Sequence, residues 1–99
     1  MLNIQQTVEQ ERAFFSLEGR LDTLSAPELE RALQQVFSRV KELTLDFEKL
    51  EYISSAGLRV LLSAHKAIGG QGSVRLLHVN EQIQEIFDIT GFSDILTIE

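Results

Sequence analysis

Ninety-nine residues with 43% hydrophobic content make one small domain, residues 1–99, with apolar surface for one core. The formal charge of -6 and the lack of any basic cluster argue against nucleic acid and anionic membrane surfaces as partners. The absence of cysteine excludes disulfides, thiolate metal sites and cysteine nucleophiles. No apolar run approaches the roughly 18 residues of a membrane span, and residues 1–8 lack the basic segment and apolar core of a signal peptide. A cytoplasmic protein is expected.

Leu2, Ile4 and Thr7-Val8 suggest a first strand, Glu9 to Glu11 a polar turn, and Arg12 to Glu18 a second strand, so the two form a hairpin. Residues 19–24 read as a loop. Ser25 to Glu28 reads as a capping box, with Ser25 as N-cap, Glu28 three positions on and Pro27 in the first turn. Leu29, Leu33, Val36 and Phe37 then form the buried stripe of a first helix, with Ala32 beside them. A third strand starts at Val40 or Lys41 and runs to about Phe47. A second helix covers Ala56 to Ile68 and is stopped by Gly69 and Gly70. Ser73 to Val79 is a fourth strand. Asn80 caps a third helix, Glu81 to Thr90, with Ile83, Ile86, Phe87 and Ile89 inward and Gly91 as its left-handed terminator. Ile95, Leu96 and Ile98 make a short last strand. The order ββαβαβαβ predicts an α/β fold. Its sheet is mixed but mainly parallel, of about five strands, with an N-terminal hairpin and three to four helices.

The stretch 43–62 carries the functional signal. Leu43, Leu45 and Phe47 alternate with polar residues, and Leu58, Leu61 and Leu62 follow helical spacing. Between them stand Ser54, Ser55, Ala56 and Gly57, where a helix must start. The free N–H groups there suit a serine cap and suit a phosphate equally. A loop at the carboxyl end of a strand is also where open α/β sheets meet their ligands. Ser54 and Ser55 therefore read either as caps alone or as a reachable hydroxyl.

Catalytic readings fare poorly. A hydrolase elbow needs Gly-x-Ser-x-Gly, and Ile53 stands where the first glycine belongs. His65 lies well into the second helix and His78 at a strand end. Two isolated histidines and scattered carboxylates have no metal-ligand spacing. The glycines at 69, 70 and 72 follow a helix and precede a strand, the reverse of a phosphate loop, and no nucleotide motif is present. Neither an enzyme nor a cofactor is expected.

The stretch 46–62, DFEKLEYISSAGLRVLL, resembles the signature of the STAS domain, specifically the stand-alone bacterial anti-sigma factor antagonists. Residues 17–22, LEGRLD, resemble that family's second strand and loop, and residues 85–92, EIFDITGF, its last helix. The resemblance implies a mixed sheet packed against helices and a partner-switching function. The unphosphorylated antagonist would bind an anti-sigma factor that is also a serine kinase, and phosphorylation would release it. A phosphoserine phosphatase would reset it. Aligned on Gly57 and Leu58, the acceptor falls on Ser55, with Ser54 the less favoured alternative. Ala56 stands where the family has a second serine or threonine, and Ser54 where it has an aspartate. Asp22 matches the aspartate of a partner-contacting loop. With Thr23, Ser54, Ser55, Ala56, Gly57 and Leu58 it makes the implied partner surface. Asp46 falls at a polar strand-end position. The alternative function is a non-phosphorylated adaptor subunit of a transport ATPase or signalling complex. A monomer is expected, with an exposed edge strand as the route to any weak dimer.

Overall fold

Period-two alternation builds the sheet and helical periodicity builds the layer over it. In the computed structural model, which describes residues 2–70 and 72–99, β1 (Leu2–Glu9) and β2 (Arg12–Leu21) form an antiparallel hairpin. Glu9 pairs with Arg12, and Gln10 takes φ 54° in the turn. There follow α1 (Ala26–Gln34), β3 (Glu42–Ile53), α2 (Ser55–Ile68), β4 (Ser73–Leu77), α3 (Glu81–Thr90), a 3-10 turn (Phe92–Asp94) and β5 (Thr97–Ile98). The strands lie in the order β1-β2-β3-β4-β5, and every pairing after the hairpin is parallel. The architecture is thus the mixed, mainly parallel five-stranded sheet that the element order predicts.

Successive crossovers step in one direction, and right-handed crossovers then put all helices on one face. The burial pattern agrees. Phe15, Leu17, Leu43, Leu45, Phe47, Val74 and Leu76 face the helices and are buried. Between them, Phe14, Ser16, Thr44 and Arg75 lie on the opposite face, exposed or half-buried. There Arg12, Glu42, Arg75 and Glu99 form a chain of surface ion pairs.

Several boundaries differ from the sequence reading, and pairing explains the largest. β2 continues through Gly19, Arg20 and Leu21, read as loop, because they pair with Leu50, Tyr52 and Ile53. β3 correspondingly runs past Phe47 to Ile53. Two register shifts, between Ser16 and Glu18 and between Gly19 and Arg20, each add a residue to β3. Its buried positions are spaced by two as far as Phe47 and by three at Leu50 and Ile53, which hides the strand from a period-two pattern. β4 stops at Leu77, since His78 takes a left-handed φ of 57°. α1 closes at Gln34, leaving Val36 and Phe37 in the turns beyond it, Val36 still buried. α2 begins one residue early, at Ser55, and ends on Gly69 in a right-handed conformation. Gly72 serves close approach: a Cβ there would fall on the Lys41 carbonyl, which accepts the Ser73 N–H that starts β4.

Two side-chain expectations are corrected. Ile89 is 81% exposed; Ile83 and Phe87 form the buried stripe of α3, with Ile86 half-buried beside them. Ser25 occupies the N-cap position of α1 but makes no side-chain cap. Its buried hydroxyl instead donates to the Arg20 carbonyl (2.7 Å) and accepts from the Asp22 N–H (2.9 Å), tying the strand end to the loop. Asn80 caps α3 as expected, accepting from the Ile83 N–H at 2.8 Å, and its amide also donates to the Leu50 carbonyl. Gly91 is left-handed at φ 82°.

Candidate functional site at the start of helix α2

The extension of β2 and β3 brings their carboxyl ends together. The Ser54 N–H donates to the Leu21 carbonyl (2.9 Å), so the start of α2 abuts the β2–α1 loop. Ser54 is extended (φ -101°, ψ 177°) and is the N-cap, its hydroxyl accepting from the Gly57 N–H across a long 3.5 Å. Ser55 is the first helical residue and is exposed. The two serines, which the residue pattern left undivided and the resemblance divided in favour of Ser55 as acceptor, have different positions: Ser54 caps, and Ser55 presents a free hydroxyl to solvent.

Gly57 and Leu58 are buried beneath this surface. A Cβ on Gly57 would come within 2.8 Å of Ile53 Cγ1 and of Leu21 Cγ. Glycine there lets the helix start sit directly on the strand ends, which in turn places Ser55.

The β2–α1 loop is organised by Asp22. Its Oδ1 accepts from the Leu24 and Ser25 N–H groups, both at 3.1 Å. The hydrogen bonds from Ser25, and then that from Leu24, hold the carboxyl below the usual carboxylate range. Arg20 approaches Asp22 at 3.9 Å and lies over the Tyr52 ring, 4.4 Å from its centroid. Thr23 is exposed, and Leu24 is 87% exposed. Thr23 and Ala56, distant in sequence, line one groove of about 190 Å³ with Ala26, Pro27, Glu30, Arg59 and Val60.

The structure thus brings Asp22, Thr23, Ser54, Ser55 and Ala56 to one end of the sheet. Arg20, Leu24, Tyr52 and Arg59 border it and were not picked out from the sequence. Arg59 had a legible signal, its four-residue spacing from Ser55. Arg20 and Tyr52 did not, because their contact depends on the bulged register.

Asp46 belongs elsewhere. It lies within β3, seven residues before Ile53, where the pairing with β4 ends. Its Oδ1 accepts from the Glu48 N–H (3.0 Å) and lies 2.9 Å from His78 Nδ1. Burial opposes its ionisation, but these hydrogen bonds outweigh that and lower its pKa; the same bond raises that of His78. His65 stands about 15 Å along α2 from Ser55. Neither histidine is placed to act as a base toward the serines. Among the described residues no group of three or more histidine, cysteine, aspartate or glutamate side chains could hold a metal ion, and no helix is long and apolar enough to cross a membrane.

Fold and site define a small α/β module that offers a hydroxyl at a helix start, beside the carboxyl ends of β2 and β3. The STAS domain family model matches residues 3–99, and the chain belongs to that family. BtrV of Bordetella bronchiseptica, described as a candidate anti-sigma factor antagonist, is 37% identical over 84 residues, covering 83% of this chain and 72% of that one. The anti-sigma-B factor antagonist of Bacillus subtilis is 32% identical over 84 residues, covering 84% and 77%. Among solved structures, an anti-sigma factor antagonist from Mycobacterium paratuberculosis superposes with a TM-score of 0.89 at 19% identity, covering 99% of this chain and 85% of that one. The unphosphorylated form of the anti-sigma factor antagonist SpoIIAA gives 0.80 at 19% identity, covering 98% and 87%. These structures share the fold.

Proposed function

We propose that this chain is an anti-sigma factor antagonist that switches partners through phosphorylation of Ser55. Unphosphorylated, it binds an anti-sigma factor that is also a serine kinase, with Asp22, Thr23, Ser54, Ser55 and Ala56 on the contact surface. The kinase passes the γ-phosphoryl group of ATP to Ser55 Oγ, with ADP as leaving group and loss of the hydroxyl proton. A phosphoserine phosphatase reverses the modification. The chain is a cytoplasmic single domain and a substrate in this cycle, with no cofactor of its own.

The observation that carries the reading is the exposure of Ser55 in the first turn of α2 while Ser54 takes the cap. Modification there breaks no hydrogen bond of the fold. The added charge of about -1.5 to -2 meets free N–H groups and the positive end of the helix. Its effect therefore falls on the docked partner, because an unpaired charge trapped in an interface is costly. SpoIIAA, which shares the fold, exists in phosphorylated and unphosphorylated forms.

The test is incubation with a kinase-type anti-sigma factor and ATP, followed by mass spectrometry. A single phosphate on Ser55 is expected. Ser55→Ala should stay bound in the presence of ATP, and Ser55→Asp should bind at least about tenfold more weakly. A kinase that binds the chain and never modifies Ser55 would refute the proposal. Ser54, in place of the family's aspartate, favours one other reading, an adaptor subunit of a transport ATPase or signalling complex. Co-purification with such a complex, with Ser55 unmodified, would decide for it.

A further inference from the structure

Ser55 and Arg59 stand one turn apart on α2, at the i,i+4 spacing that makes helix side chains neighbours. Both are exposed. Side chains on a helix lean toward its N-terminus, so the long Arg59 side chain has the reach to meet a group on Ser55. Arg59 also lines the groove formed by Thr23, Ala26 and Pro27 on one side and Ala56 and Val60 on the other. Glu30 lines the same groove, yet among the described residues Arg59 is in no ion pair. Arg20, another cation at this end of the sheet, is already engaged by Asp22 and Tyr52.

We infer that Arg59 is the internal counter-ion of phosphorylated Ser55. This rests on the reading of Ser55 as the acceptor and adds how the phosphate acts. A guanidinium presents paired N–H donors that match phosphate oxygens, and a charge-assisted bond of this kind is about twice as strong as a neutral one. Before modification, Arg59 offers a free cation to a docking partner at the mouth of the groove. Afterwards the phosphate holds that cation against α2. One covalent change thus removes two features from the surface, the serine hydroxyl and the arginine charge. Asp22, which Arg20 approaches, and Glu30 oppose the phosphate, and Arg59, one turn from Ser55, works against them.

The test uses the full chain with phosphoserine placed at position 55 during synthesis, so that no kinase is needed. The second ionisation of the phosphate is followed by phosphorus NMR. In the unsubstituted chain its acid dissociation constant should be about threefold larger than in Arg59→Gln, the size expected of an exposed charge-assisted pair one helical turn apart. Arg59→Lys should fall between. Arg39→Gln makes the same charge change before β3, at the far end of a 12-residue strand, and should leave the constant unchanged. Unaltered circular dichroism in Arg59→Gln shows that the fold is kept, as expected of an exposed position. Equal constants in the unsubstituted and Arg59→Gln chains would overturn the inference. That result leaves the kinase reaction untouched, whereas a kinase that never modifies Ser55 would sink the proposed cycle and leave this measurement standing.

Discussion

Replacing Gly57 with alanine tests whether the start of α2 is held by close approach to the strand ends. In a helix alanine is favoured over glycine by up to about 1 kcal/mol, so propensity alone predicts stabilisation. Packing predicts the opposite. The new methyl would lie 2.8 Å from Ile53 Cγ1, 2.8 Å from Leu21 Cγ and 3.0 Å from Leu21 Cδ2. Both neighbours are fully buried, so the χ1 rotation that would clear their γ carbons would drive them into the packed core around them. Overpacking of this kind costs about 1–3 kcal/mol. The net expectation is a loss of up to about 2 kcal/mol, centred near about 1 kcal/mol, or roughly 4–8 °C in Tm at that centre for a domain of this size. Thermal and urea denaturation measure it. Gly70→Ala is the control, because a Cβ there meets nothing within 4 Å. It should be neutral or gain up to about 1 kcal/mol through the unfolded state. A Gly57→Ala protein as stable as the unsubstituted chain, or more so, would refute the close-approach argument.

Ser25→Ala should cost about 1–3 kcal/mol by urea denaturation, because it removes the buried hydroxyl that satisfies the part-buried Arg20 carbonyl and Asp22 N–H. Ser54→Ala should cost only about 0.5 kcal/mol, the low end for an N-cap, since its 3.5 Å bond to Gly57 is long; a loss above about 2 kcal/mol would contradict that geometry. The His78–Asp46 pair makes stability depend on pH. Because Asp46 raises the pKa of His78, the folded protein holds that proton more tightly than the unfolded chain does. The contribution is complete below the ordinary value of 6.5 and is lost as pH rises through the higher folded value. The Tm advantage over His78→Asn, which tolerates the left-handed backbone, should therefore shrink above pH 6.5; a difference that stays flat from about pH 5 to 9 would refute the pairing.

Local pattern determined most of the elements. Alternation in residues 12–17 and 43–47, helical spacing in α2, the Asn80 cap and the Gly91 terminator all depend on neighbours a few residues away, and each appears in the structure. The serine pair at the start of α2 was legible for the same reason, as a strand pattern giving way to a helix pattern. Tertiary structure decided the rest. The last residues of β2 and β3 are strands only because they pair with each other across two bulges, which replace the period of two that marks a strand in sequence. Ser25 meets every local rule for a helix cap, but the strand end beside it supplies better partners for its hydroxyl. Ile89 has the spacing of a core residue, but the sheet beneath α3 is filled by Ile83 and Phe87. Which of Ser54 and Ser55 caps the helix was likewise beyond the residue pattern, since either hydroxyl can cap; only the family resemblance pointed to Ser55 as the acceptor. The bond from Ser54 N–H to the Leu21 carbonyl fixes where α2 begins, and the exposure of Ser55 follows from that long-range contact.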